Sequence, residues 1–154
     1  MESRAGRTGA GFLALLLSGC AIATPYRSVG DAPGRGRPGP ASTVVVAATH
    51  ARVHPEGRAL FDAEVARVVE SLPRQPGLLG YSLRRHLWRD EVWTMTVWKD
   101  DASRQEFVGS SAHRNATAAA GATLARVRYV HFEMPVASAP PAWSEVLARL
   151  PGAE

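Results

Sequence analysis

The stretch EVWTMTVW, residues 91 to 98, constrains the fold of this chain more than any other. In an extended strand successive side chains point to opposite faces, so Trp93, Met95 and Val97 share one side while Val92, Thr94, Thr96 and Trp98 share the other. Both sides are bulky. A sheet built around this strand needs cover on both faces, and one layer of helices supplies only one.

The neighbouring segments extend the pattern. GLLGYSLRRHLW stops at Arg89-Asp90, close enough to pair with EVWTMTVW as a hairpin. TVVVAATHARV, from Thr43, is β-branched and apolar like a buried strand, and TLARVRYVHFEM reads as a further strand. Between these runs, PEGRALFDAEVARVVESLPRQPG sets Phe61, Val65, Val68, Val69 and Leu72 on one helical face and ends at or before Pro73. KDDASRQEFVGSSAHRNATAAAG offers Asp100 or Asp101 as an N-cap, breaks at Gly109, restarts with Ser110 or Ser111, and stops at Gly121. The order β-α-β-β-α-β over residues 43–135 predicts an α+β, ferredoxin-like sandwich: a four-stranded antiparallel sheet with helices on one face. Residues 136–154 form a C-terminal extension whose short helix would dock by Trp143, Val146, Leu147 and Leu150. The uncovered face then predicts a homodimer.

Ahead of Thr43 the composition changes. Arg4 and Arg7 precede the apolar run GAGFLALLLSG, roughly half the length that a helix needs to cross a ~30 Å hydrocarbon core. A basic arm, a short apolar region and small residues have the form of a secretory signal over residues 1–19. Leu17-Ser18-Gly19-Cys20, which holds the chain's one cysteine, resembles the lipobox of bacterial lipoproteins. That resemblance implies acylation of Cys20, a lipid bilayer as partner, and a place in the cell envelope; with no aspartate after the cysteine, the outer membrane is implied in a two-membraned cell. Residues 20–42 are dense in glycine and proline and read as a tether.

Charge argues against a nucleic-acid partner. The net charge is +4, but from Thr43 onward 13 Lys and Arg meet 12 Asp and Glu. Arg84, Arg85 and Arg89 are followed at once by Asp90 and Glu91, so the sequence holds no long phosphate-tracking stripe.

The forty or so residues from Pro76 to Ala116 carry a recognisable pattern: the strand end T-x-T-V-W-K-D, then the helix end F-V-x-S-x-A-H-R. In these the chain resembles the antibiotic biosynthesis monooxygenase-like proteins of the dimeric α+β barrel superfamily. The resemblance implies that barrel fold, a second copy as partner, and chemistry of the kind found in cofactor-free oxygenases of aromatic substrates. It also implies a hollow between second helix and sheet into which His113 points as a general base, with Tyr81, His86, Trp93, Trp98, Phe107 and Arg114 as candidate pocket residues for a small aromatic ligand. The haem-degrading branch of the superfamily has a catalytic asparagine, tryptophan and histidine; the last two positions fall here on Phe107 and Thr117, and TVVVAATHA has no asparagine. That branch does not fit, and no cofactor is expected.

No metal site is expected either. His50 and His54 are four residues apart, but Pro55 follows in a segment leaving a strand. His131 and His86 could meet across a sheet, without an acidic or thiol partner to complete a site. Two functions fit this reading: a lipid-anchored, cofactor-independent oxidation of a small aromatic or quinol-type substrate, or a non-catalytic binding lipoprotein of the same fold.

Overall fold

A computed structural model describes residues 21–29, 39 and 42–150. Two short strands, β1 (Ala21–Ala23) and β2 (Arg27–Ser28), precede four long ones: β3 (Thr43–Val53), β4 (Leu78–His86), β5 (Glu91–Trp98) and β6 (Leu124–Pro135). The long strands form an antiparallel sheet in the order β4-β5-β3-β6. That is the ferredoxin-like order expected. Val46 pairs with Val97 on one side and Phe132 on the other, and this register fixes which residues share a face.

One face carries Val45, Ala47, Ala51, Tyr81, Val92 and Trp98. It is covered by α1 (Arg58–Ser71), α2 (Asp101–Val108) and α3 (Ser111–Gly121). The stripe read from sequence, Phe61 to Leu72, is the surface that α1 lays against the sheet. Asp100 caps α2 by accepting from the Ser103 backbone N–H at 2.8 Å, and Ser110 caps α3 by accepting from that of His113 at 3.2 Å. The break between these helices therefore has a cap on its far side rather than a row of orphan donors.

The other face holds Val44, Val46, Ala48, Trp93, Met95, Val97 and Met134. Its expected cover was a second copy. Over the apolar half, the chain supplies cover itself: after β6 it turns through Val136–Ser138, and α4 (Trp143–Arg149) lies back across the strands with Val146 and Leu150 buried. The four predicted docking residues of this helix all pack there.

Within the segment read as a tether, residues 21–29 are ordered against the sheet. Strands β1 and β2 pair antiparallel with the outer edge of β4, Ala21 facing His86 and Arg27 facing Tyr81. Backbone pairing needs no apolar periodicity, which is why composition concealed it. Side chains lock the segment: Ser82 Oγ donates to the Thr24 carbonyl at 2.8 Å, and Trp143 Nε1 donates to Ser82 Oγ at 3.1 Å. The Tyr26 ring end packs against Gly80, where an added Cβ would sit 2.4 Å from Cζ and the hydroxyl, and burial pushes the Tyr26 hydroxyl up to about 12. Among the described residues no helix is long and apolar enough to cross a membrane.

Candidate functional site

Between the three helices and the sheet lies a cavity of about 470 Å³. Its floor comes from alternate residues of the central strands, Ala47 and Thr49 of β3 and Thr94, Thr96 and Trp98 of β5, with Tyr81 of β4. Phe61, Val65 and Val68 of α1, Phe107 of α2, and His113, Ala116 and Ala120 of α3 form the roof. The lining is overwhelmingly apolar, as pockets for small organic ligands are. Val108, Val127 and Tyr129 line it and are 41–49% exposed, so the cavity meets solvent on the β6 side.

His113 is held by the start of α3. Its backbone is fixed by the Ser110 cap, and its ring stands edge-on to Phe107, centroids 5.0 Å apart at 63°. Phe107 in turn lies 5.1 Å from Trp98, whose Nε1 donates to Thr96 Oγ1 at 2.8 Å. The three rings thus form one packed row from roof to floor. Half-burial pulls the His113 imidazole below its ordinary value of 6.5, and a hydrogen bond with the Val108 backbone opposes this more weakly. The ring is therefore neutral near pH 7, and a neutral imidazole always carries one nitrogen that accepts a proton.

Of the other candidates, Tyr81, Trp98 and Phe107 line the same cavity. His86 and Trp93 do not. Trp93 points to the opposite face, stacked on His50 at 4.6 Å with the rings 7° from parallel, and the Arg84 guanidinium lies 5.5 Å from its ring. His86 sits at the β4–β5 turn, where Nδ1 accepts from the Trp88 backbone at 3.1 Å. Arg114 is exposed beside the cavity and donates to the Gly109 carbonyl. Alternation had already separated Trp93 from Trp98; what it could not say is which face the helices choose.

Two polar features of the cavity were not anticipated. Glu64 of α1 is 6% exposed, lines the cavity, and is ion-paired with Arg67. Its signal was present, because position 64 falls on the stripe that Phe61, Val65 and Val68 define. At the mouth, Arg104 joins Asp101, which accepts from Nε at 2.6 Å, to Tyr129, whose hydroxyl accepts from Nη1 at 2.8 Å. Burial raises the Tyr129 hydroxyl and Arg104 opposes the rise; the Asp101 carboxyl is held below its usual range by Arg104 and then Gln105. This pairing links α2 to β6 and depends on the fold, so no local motif marks it.

The histidine pairs weighed from sequence come to nothing as clusters. His131 on β6 and His86 on β4 belong to strands separated by β3 and β5. Among the described residues no three His, Cys, Asp or Glu side chains converge. Cys20 lies outside the described residues.

Comparison with known proteins gives a consistent result. The profile of the antibiotic biosynthesis monooxygenase family matches residues 44–119. Similar solved structures include a Nitrosomonas europaea protein named for the same family (12% identity, 60% of this chain and 91% of that one, TM-score 0.57). Others are a Pseudomonas aeruginosa protein (18%, 62% and 98%, TM-score 0.56) and Rv0793 of Mycobacterium tuberculosis (22%, 59% and 93%, TM-score 0.54). No curated protein matches the sequence. Strand order, helix cover and the profile agree: residues 44–119 are similar to the antibiotic biosynthesis monooxygenase family in sequence pattern and in fold.

Proposed function

We propose that this domain oxidises a small, planar hydroxyaromatic with dioxygen, using no bound metal or organic cofactor, and that His113 is its general base. The observation that carries this reading is a half-buried imidazole, shifted toward its neutral form, in the wall of an otherwise apolar cavity. An apolar cavity favours both a flat aromatic and dioxygen, and Tyr81, Trp98 and Phe107 give it an aromatic lining. His113 takes the phenolic or enolic proton, and the resulting anion is electron-rich enough to react with dioxygen. For a substrate of the anthrone type, one ring methylene and one dioxygen give one ring carbonyl and one water. The methylene carbon loses both hydrogens and four electrons and gains one oxygen atom, while the second oxygen atom leaves with those hydrogens as water. A quinol would instead pass two electrons and two protons to dioxygen, giving a quinone and hydrogen peroxide.

The test is oxygen uptake on anthrone-like and quinol substrates by wild type and His113→Ala. Loss of a general base lowers kcat by roughly 100- to 10,000-fold. Equal uptake by the two proteins overturns the assignment of His113.

The same proposal includes the acyl anchor at Cys20, and with it a lipoprotein of the cell envelope, on the outer membrane in a two-membraned cell. It also includes pairing of two copies, as the superfamily resemblance implies. Several acyl chains together hold a protein to a bilayer where one chain binds only marginally. Detergent-phase partitioning that survives Cys20→Ser counts against the anchor.

A further inference from the structure

The described residues leave seven large hydrophobic side chains exposed, and they fall into two groups. Val108, Val127 and Tyr129 border the cavity mouth. The other four, Ile22, Leu60, Leu87 and Trp88, gather at one end of the molecule. Leu87 and Trp88 occupy the β4–β5 turn, and Trp88 is 81% exposed. Ile22 pairs across the sheet with Arg85, beside that turn. Leu60 is in the first turn of α1, which Arg58 ties to the turn by its ion pair with Asp90 at 3.3 Å.

The same end is cationic. On the face away from α1 to α3, the last two cross-strand rows of the sheet read Arg126, Arg52, Glu91 and Arg128, His50, Trp93, Arg84. Arg85 and Arg89 flank the turn. Three of the acids here are ion-paired, Glu91 with Arg52 at 2.9 Å, Asp62 with Arg58 and Arg85 at 3.0 and 2.9 Å, and Asp90 with Arg58, while Glu56 stands exposed in the turn before α1. At the opposite end the charges are mixed: Lys99 stands beside Asp100, and Arg104 is ion-paired with Asp101 at 2.6 Å. A near-neutral total thus conceals a local excess of arginine at the β4–β5 turn end.

The path of the chain is a third observation at this end. Cys20 is one peptide bond from Ala21, and Ala21 pairs with His86, the residue before Leu87. The chain enters the fold beside the exposed tryptophan.

We propose that the β4–β5 turn end is a membrane-contact surface, in which Trp88, Leu87 and Ile22 enter the headgroup layer of an anionic bilayer while Arg89, Arg126 and their neighbours meet lipid phosphates. Trp is suited to this boundary, having an apolar ring and a polar N–H, and arginine to phosphate. This surface is separable from acylation of Cys20, which would hold the chain at the same end but is not needed for the contact.

The test uses a chain that begins at Ala21, which retains every described element and lacks the thiol. It is titrated with vesicles of phosphatidylglycerol and phosphatidylethanolamine carrying brominated acyl chains. Tryptophan fluorescence should be quenched, at least fivefold less affinity should remain with phosphatidylcholine vesicles or in the Arg89→Glu/Arg126→Glu variant, and Trp88→Phe should abolish the quenching. Trp93 and Trp98 are buried and Trp143, the first residue of α4, packs against the sheet, so they contribute little to it. Absence of binding to anionic vesicles at low salt, quenching that persists in Trp88→Phe, or tighter binding to single-stranded RNA at equal phosphate overturns the proposal. The partitioning of Cys20→Ser reports separately on the acyl anchor, so failure of either reading is distinguishable from failure of the other.

Discussion

At the scale of single residues, two histidines dominate what pH does to this fold. Burial lowers the pKa of both His113 and His50; for His50 the Glu91 carboxylate opposes the shift and nearby arginines reinforce it. Both imidazoles are neutral when folded and take up a proton more readily when unfolded. The unfolded chain therefore binds more protons below about pH 6.5, and stability falls as pH drops through that value, levelling off once the folded pKa values are passed. Melting temperature measured from pH 7.5 to 5 should decline, and His50→Gln should flatten part of the decline. A melting temperature that rises over that interval contradicts the two shifts. Asp100 is a further point of leverage. Replacing it with Ala removes the oxygen that caps α2 and should cost about 1 kcal/mol of unfolding free energy, read by denaturant titration.

At the scale of elements, legibility followed side-chain pattern. The α1 stripe, the strand faces and the α4 docking edge were readable because each has its own hydrophobic period, and the caps because Asp100 and Ser110 stand directly before their helices. β1 and β2 were not, since they are held by backbone pairing and by the fit of Tyr26 over Gly80. The site was legible in part for the same reason. Phe107 and His113 share the second helical segment and Trp98 follows strand alternation, but no pattern in one chain says whether helices cover the Trp93 side or the Trp98 side. Gly80→Ala tests the element that was missed. Its methyl group would collide with Tyr26, so residues 21–29 should lose hydrogen-exchange protection while the β3–β5 pairing keeps it. Unchanged protection at 21–29 contradicts the packing described.

At the scale of the molecule, the two faces of the sheet have separate work. The helix-covered face encloses the cavity; the other is sealed over its apolar half by α4 and is cationic toward the β4–β5 turn. Val146 is fully buried against the strands, so Val146→Asp should destabilise the chain by about 3 kcal/mol or more, the cost of an unpaired charge in an apolar contact. A smaller loss would mean that α4 contributes little to the fold. A second copy approaching this face would meet α4 rather than bare strands. The functional reading, by contrast, stands or falls on the cavity alone. The most direct measurement is an NMR titration of the His113 imidazole with and without an anthrone-like ligand. The account predicts a titration below pH 6.5 in the free protein and a shift of the His113 resonances when ligand binds; a titration at or above pH 6.5 that the ligand leaves untouched contradicts it.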